Sequence, residues 1–160
     1  MSRVILLLAI VAVSGCVGTP YLPPTAGPKA TLTFVTSGDP TLGYVATLSK
    51  VKDINHHGCY DKREDMAKIN KGNPFAGHTH NPSDIPIAAG APIELTAIFA
   101  PANLIGQTGC RTSVDFVPEA GKSYELSVRW QKSSCNIQLN ELEGGTRTEV
   151  KSAKLRHDFC

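Results

Sequence analysis

Apolar and polar residues alternate along most of the chain beyond residue 30. The clearest stretch is 123–130, SYELSVRW, in which every second residue from Tyr124 to Trp130 is apolar and the residues between them are polar. A period of two indicates a β-strand with one buried face. The same pattern predicts six further strands, at 31–36, 43–51, 92–99, 111–117, 135–139 and 146–152. Together these segments predict an all-β fold, a single antiparallel β-sandwich of about seven strands.

One long segment interrupts this alternation. Residues 52–84 are polar and rich in Gly, Asn and Pro. Long irregular segments inside a compact domain are often functional. We therefore predict one long loop here, with a short helix around Arg63–Ile69.

The amino terminus has the order of an export signal. A basic start with Arg3 precedes ten apolar residues, Val4–Val13, and the small residues Ser14 and Gly15. This order is typical of a secretory signal peptide, predicted at 1–15. The apolar run is shorter than the roughly 20 residues that a spanning helix needs.

The next residues carry a resemblance to a known class of proteins. Val13-Ser14-Gly15-Cys16 resembles the bacterial lipobox, directly behind the apolar run. The resemblance implies cleavage before Cys16 and a diacylglyceryl group on its sulfur, so that Cys16 is the lipid attachment site and the membrane is a partner. Stable anchoring needs at least two acyl chains, which this modification supplies. Val17 in place of Asp favours the outer membrane in the same pattern.

The residues behind Cys16 are rich in proline. Pro20, Pro23, Pro24 and Pro28 favour an extended polyproline conformation. We predict a lipidated, Pro-rich tether at 16–29 that reaches up to ~40 Å. The folded β-sandwich domain is then predicted at 30–160.

The cysteine count becomes even once Cys16 is assigned to lipid. Two disulfides among the other four cysteines fit an oxidising envelope compartment, although free, buried thiols are the alternative. Three connectivities exist. We favour Cys59–Cys110 and Cys135–Cys160, because a hairpin turn at Gly144-Gly145 would bring the chain end back towards Cys135.

Four of the five histidines lie in the predicted loop, at His56, His57, His78 and His80. Imidazoles are good ligands for Zn and Cu, and nearby carboxylates could complete a site; these are Asp61, Glu64, Asp65 and Asp84. The established ligand spacings are absent, so a solvated polar loop is the simpler interpretation. Metal binding through residues 56–80 is our alternative function.

Catalytic patterns are missing from the sequence. No Gly-x-Ser-x-Gly elbow occurs, and Gly121-Lys122-Ser123 lacks the earlier glycine of a phosphate-binding loop, so we predict a hairpin turn there. His157-Asp158 is predicted to be a surface pair. The formal charge of +2, with scattered basic residues, indicates no nucleic-acid partner. We expect no catalytic residues, no resident metal and no cofactor, and so no enzyme.

A second resemblance covers mainly residues 85–160. The run F-x-P-x-A-G-K-x-Y-E at 116–125 is similar to a signature of small bacterial envelope lipoproteins with β-sandwich domains. Their pattern includes cysteines that correspond to Cys110, Cys135 and Cys160. The resemblance implies a fold and an attachment and no activity. We therefore expect an outer-membrane lipoprotein facing the periplasm, with a structural or binding role towards an envelope protein or polymer.

Overall fold

The computed structural model describes residues 19–38, 43–54, 60–72, 78–80, 82–101, 109–131 and 134–156. Within these residues the chain forms eleven strands and no helix, which confirms the predicted all-β class. In chain order the strands are β1 (Thr19–Pro20), β2 (Lys29–Ser37), β3 (Tyr44–Ile54), β4 (Tyr60–Lys71), β5 (Ile85–Ala88), β6 (Ile93–Pro101), β7 (Cys110–Phe116), β8 (Ser123–Gln131), β9 (Ser134–Glu143), β10 (Thr146–Glu149) and β11 (Lys154–Arg156).

The strands form two sheets. Sheet A has six strands in the order β1-β4-β3-β6-β7-β11, and sheet B has five in the order β10-β9-β8-β2-β5. Two neighbouring pairs are parallel, β1 with β4 and β2 with β8, and the other neighbours are antiparallel. The prediction of a single antiparallel sandwich of about seven strands was therefore wrong. The seven predicted strands are present, and β1, β4, β5 and β11 are additional.

Strand β4 lies inside the predicted long loop, and the predicted helix around Arg63–Ile69 is wrong because those residues belong to this strand. A register shift between Leu48 and Ser49 of β3 leaves an extra residue in β4, so that the consecutive residues Met66 and Ala67 are both buried. Such a bulge erases the period of two that identifies a strand. Pairing with β3 on a buried sheet outweighs the helix propensity of this charged segment.

The core lies between the inner faces of the two sheets. In β8 the predicted face is confirmed, because Tyr124, Leu126 and Val128 are buried. Burying each large apolar side chain contributes roughly 1.5–3 kcal/mol. Other large core side chains come from both sheets: Leu32, Phe34, Leu48, Met66, Ile87, Leu95, Phe99, Val114 and Leu139.

A disulfide joins the two sheets at one end of this core. Cys110, the first residue of β7, is bonded to Cys135 in β9, with their Cα atoms 5.8 Å apart. The neighbouring register partners, Phe99 in β6 and Trp130 in β8, stack across the sheets with ring centroids 5.9 Å apart. Tyr44 of β3 also stacks on Phe99, with ring centroids 4.4 Å apart.

The favoured pairings Cys59–Cys110 and Cys135–Cys160 are therefore wrong. The turn at Gly144-Gly145 is present, with both glycines at positive φ as the tight hairpin between β9 and β10 requires. However, β10 ends at Glu149 opposite Asn140, and the chain then crosses to sheet A, where β11 pairs with β7. It does not return along β9 to Cys135. Cys59 and Cys160 lie outside the described residues, so this structure shows one disulfide where two were predicted.

We expect the double variant Cys110→Ala/Cys135→Ala to lose about 3–4 kcal/mol of unfolding free energy, because the bridge closes a loop of 25 residues. Equilibrium denaturation in guanidinium under oxidising conditions measures this loss. As a control, repeating both titrations with a reductant should bring the two proteins close together. An equal stability of wild type and variant without reductant would contradict the assigned bridge.

Candidate functional site

A row of polar side chains crosses the outer face of sheet A. Direct cross-strand pairing places Asp65, Ser49, Thr96, Ser113 and Arg156 side by side on five neighbouring strands. The Ser49 hydroxyl donates to Asp65 Oδ1 at 2.8 Å, and the Thr96 and Ser113 hydroxyls share a hydrogen bond of 2.9 Å. The row is buried in its middle and ends at Arg156 on the edge strand β11.

A cleft of about 650 Å³ opens where this row meets β11. Its lining combines apolar side chains with four charged ones. The apolar part includes Ile93, Phe116 and the half-exposed Val117. The charged residues that line it are Glu94, Asp115, Lys154 and Arg156.

The carboxylates of this cleft are held by one guanidinium. Glu94 and Asp115 lie directly opposite each other on β6 and β7, an arrangement that two like charges disfavour. Arg156 compensates for it, since its Nη2 atom lies 2.6 Å from Glu94 Oε1 and 3.2 Å from Asp115 Oδ1. With Lys154, the cleft carries two negative and two positive charges. Such a lining suits a ligand that presents both apolar and polar groups.

Sequence reasoning missed this cleft. Glu94 and Asp115 occupy outward positions of predicted strands, where polar residues are expected in any case. Only the register between β6, β7 and β11 brings them to Arg156, and register depends on the whole fold. No local signal in the sequence marks these three residues.

The predicted ligand residues are not brought together within the described part of the chain. His78 and His80 are exposed, and His80 pairs with Lys68 of β4. Asp65 bonds to Ser49 instead. No cluster of three or more His, Cys, Asp or Glu side chains with metal-binding geometry occurs among the described residues.

His56 and His57 lie outside the described residues, and a site that uses all four histidines stays a prediction from sequence. Cys16 and the pair His157-Asp158 also lie outside the described residues.

The segment Gly121-Lys122-Ser123 forms a turn, as predicted, but it connects sheet A to sheet B and is not a hairpin. The Lys122 ammonium donates to Glu141 Oε1 at 2.6 Å. This hydrogen bond and the charge of Glu141 raise the pKa of Lys122 above its ordinary value. Lys122 is therefore engaged by a neighbouring strand, which supports a structural role.

The described part of the predicted tether is docked on the domain. Thr19 and Pro20 form β1, which pairs with β4. The Tyr21 amide donates to the Asp65 carbonyl at 3.0 Å, and the Tyr21 hydroxyl donates to the Pro86 carbonyl of β5 at 2.9 Å. These bonds attach the segment to both sheets. The prediction of a free polyproline tether as far as residue 29 is therefore wrong for the residues from Thr19 to Tyr21, which are bonded to the domain.

Burial raises the pKa of the Tyr21 hydroxyl above its ordinary value, and the nearby Glu64 carboxylate raises it further. Because the folded pKa is the higher one, this contribution to stability is fully present below the unfolded pKa of about 10. It is lost as the pH rises through the folded pKa. The docked segment is therefore insensitive to Tyr21 ionisation at neutral pH.

Comparison with protein-family models, with curated proteins and with solved structures finds no match to this chain. In the described ranges, no helix has the length and apolar character needed to cross a bilayer.

Replacing Arg156 tests the charged cleft. We expect Arg156→Ala to lower the unfolding free energy by about 1–2 kcal/mol, because Glu94 and Asp115 are left facing each other. Adding Glu94→Gln should restore part of this loss, and a double-mutant cycle from urea titrations measures the coupling. The matched control is Lys154→Ala, which removes a cation from the same strand and should change stability by less than ~0.5 kcal/mol. Zero coupling between Arg156 and Glu94 would contradict the ion pair.

Replacing Tyr21 tests the docked segment. We expect Tyr21→Phe to lower the unfolding free energy by about 1 kcal/mol, since the bond to the Pro86 carbonyl is lost. Amide hydrogen exchange at residue 21 should also become faster, because the bond to Asp65 is then less well held. Leu22→Ala, at the neighbouring exposed position, is the control and should leave both quantities unchanged. Unaltered exchange in Tyr21→Phe would show that the hydroxyl does not hold the segment.

Proposed function

We propose that the protein is a bacterial envelope lipoprotein, anchored through lipid on Cys16 and non-enzymatic in its role. One observation carries the proposal: the order of Arg3, the apolar run Val4–Val13 and the lipobox-like Val13–Cys16, with strand β1 at Thr19–Pro20 close behind it. A signal followed closely by a folded domain suits an anchor on an exported protein.

The lipid replaces a membrane-spanning segment in this proposal. A diacylglyceryl thioether on Cys16 supplies the two chains that stable attachment requires. Val17 favours transfer to the outer membrane, where the domain would face the periplasm. The disulfide Cys110–Cys135 is consistent with an oxidising compartment of this kind.

The cleft beside β11 is where we place a binding role. Its mixed lining suits a partner with apolar and charged groups, such as a segment of an envelope protein or polymer. Both of its carboxylates contact Arg156, an arrangement that supports binding over acid–base chemistry. The alternative of metal binding through residues 56–80 has no described third ligand beside His78 and His80 and stays a prediction from sequence.

Cys16→Ser is the direct test of the anchor. We expect wild-type protein to incorporate a labelled fatty acid and to fractionate with membranes, and Cys16→Ser to lose the label and leave the membrane fraction. Intact-mass analysis of the purified protein measures the same modification. Val17→Asp is the matched control, because it should keep the label and change only the membrane in which the protein is found. Unlabelled wild-type protein in the soluble fraction would refute the proposal.

A further inference from the structure

The docked amino-terminal segment limits the distance between the domain and any lipid on Cys16. Thr19 is held on β4 by strand pairing, and its hydroxyl donates to the Arg63 carbonyl at 3.2 Å. Only residues 17 and 18 separate Thr19 from Cys16. Three successive Cα–Cα steps span at most about 11 Å. The reach of the anchor is therefore only about a quarter of the ~40 Å of a free polyproline tether of residues 17–29.

We propose that the β1–β4 edge of sheet A rests directly on the lipid surface and that Leu22 inserts into the bilayer interface. This inference rests on the proposed lipid attachment of Cys16. The interfacial region on each side of a bilayer is roughly 5–8 Å thick, so an anchor of this reach leaves no room for a wide aqueous gap.

Leu22 is the residue placed to make this contact. Its side chain is 77% exposed, more than Val117 at 51% and Leu155 at 46%, the other large apolar side chains that are exposed in the described residues. A single exposed leucine needs no explanation by itself. Leu22, however, directly follows Tyr21, which two backbone carbonyls hold in place beside the anchor. Apolar side chains at such a position enter the headgroup boundary readily.

The hydrogen bonds of Tyr21 prevent residues 19–22 from detaching and adding to the length of the anchor. Its amide is bonded to Asp65 in sheet A and its hydroxyl to Pro86 in sheet B. Leu22 therefore cannot move away from the β4 edge unless both bonds break. His80 pairs with β4 on the same side as β1, so this edge also carries the exposed His78 and His80.

The same geometry orients the cleft. Strands β1 and β11 are the two outermost strands of sheet A, five strand spacings apart. At about 4.8 Å for each spacing, this is roughly 24 Å along the sheet. An edge that rests on lipid thus directs the cleft beside β11 towards the aqueous compartment.

Two leucines on opposite edges provide a matched test. Full-length lipidated protein would be reconstituted into phosphatidylethanolamine/phosphatidylglycerol vesicles, with and without brominated acyl chains, as Leu22→Trp, Leu155→Trp and wild type. The tryptophan fluorescence of wild type comes from Trp130 alone and serves as the baseline. We expect Leu22→Trp to show at least twofold greater quenching by brominated lipid than wild type, together with a blue-shifted emission. Leu155→Trp should be quenched no more than wild type.

Separate measurements distinguish failure of this inference from failure of the anchor. Intact mass establishes the lipid on Cys16; its absence would overturn both the proposed function and the inference. Equal quenching of Leu22→Trp and Leu155→Trp in lipidated protein would overturn the inference alone. A ten-residue Gly-Ser insertion between Val17 and Gly18 should lower the quenching of Leu22→Trp to the level of Leu155→Trp, and undiminished quenching would show that tether length does not set the contact. Matching circular dichroism spectra establish that each variant is folded.

Discussion

The contact between the inner faces of the two sheets is the constraint on which the rest of the structure depends. Strands such as β2, β6 and β8 bury most of their apolar side chains on one face, and each sheet needs the other to cover that face. The Cys110–Cys135 bridge and the Tyr44–Phe99–Trp130 stack join the sheets at one end of the core. At the other end, Phe116 of sheet A packs edge-on against Tyr124 of sheet B at 5.2 Å. Aromatic pairs at both ends thus align the sheets.

The chain also closes one side of the two-sheet structure. The outer side of strand β4 is covered by β1 and by His80. Two residues after His80, the Pro82 carbonyl accepts a hydrogen bond of 2.7 Å from the Phe34 amide in β2. Tyr21 makes a second connection between the sheets on this side. Covered edges resist pairing with other chains. The amino-terminal segment is therefore part of the fold, although its prolines are typical of a linker.

Local sequence patterns predicted the strands that have one continuous apolar face. They failed for features that depend on how distant parts of the chain pair. The alternation from Tyr124 to Trp130 identified β8 because its core face is continuous. Strand β4 was missed because a bulge buries the consecutive residues Met66 and Ala67, and because the charged residue Glu64 is buried where an exposed residue is expected. The disulfide was assigned wrongly because the path of the chain after β10 depends on which sheet receives β11. The cleft was missed for a related reason, since Glu94, Asp115 and Arg156 meet only through register.

The two edges of sheet A have different consequences for function. At one edge, β1 pairs with β4, and only two residues separate Thr19 of β1 from the proposed lipid site at Cys16. At the other, β11 contributes a single short strand whose Arg156 holds the carboxylates of two neighbouring strands around a cleft. Because one continuous sheet joins these edges, β1 and the cleft keep a fixed relation to each other. With the proposed anchor on Cys16, a partner bound in the cleft would meet a domain whose orientation to the membrane is set by its own amino-terminal strand.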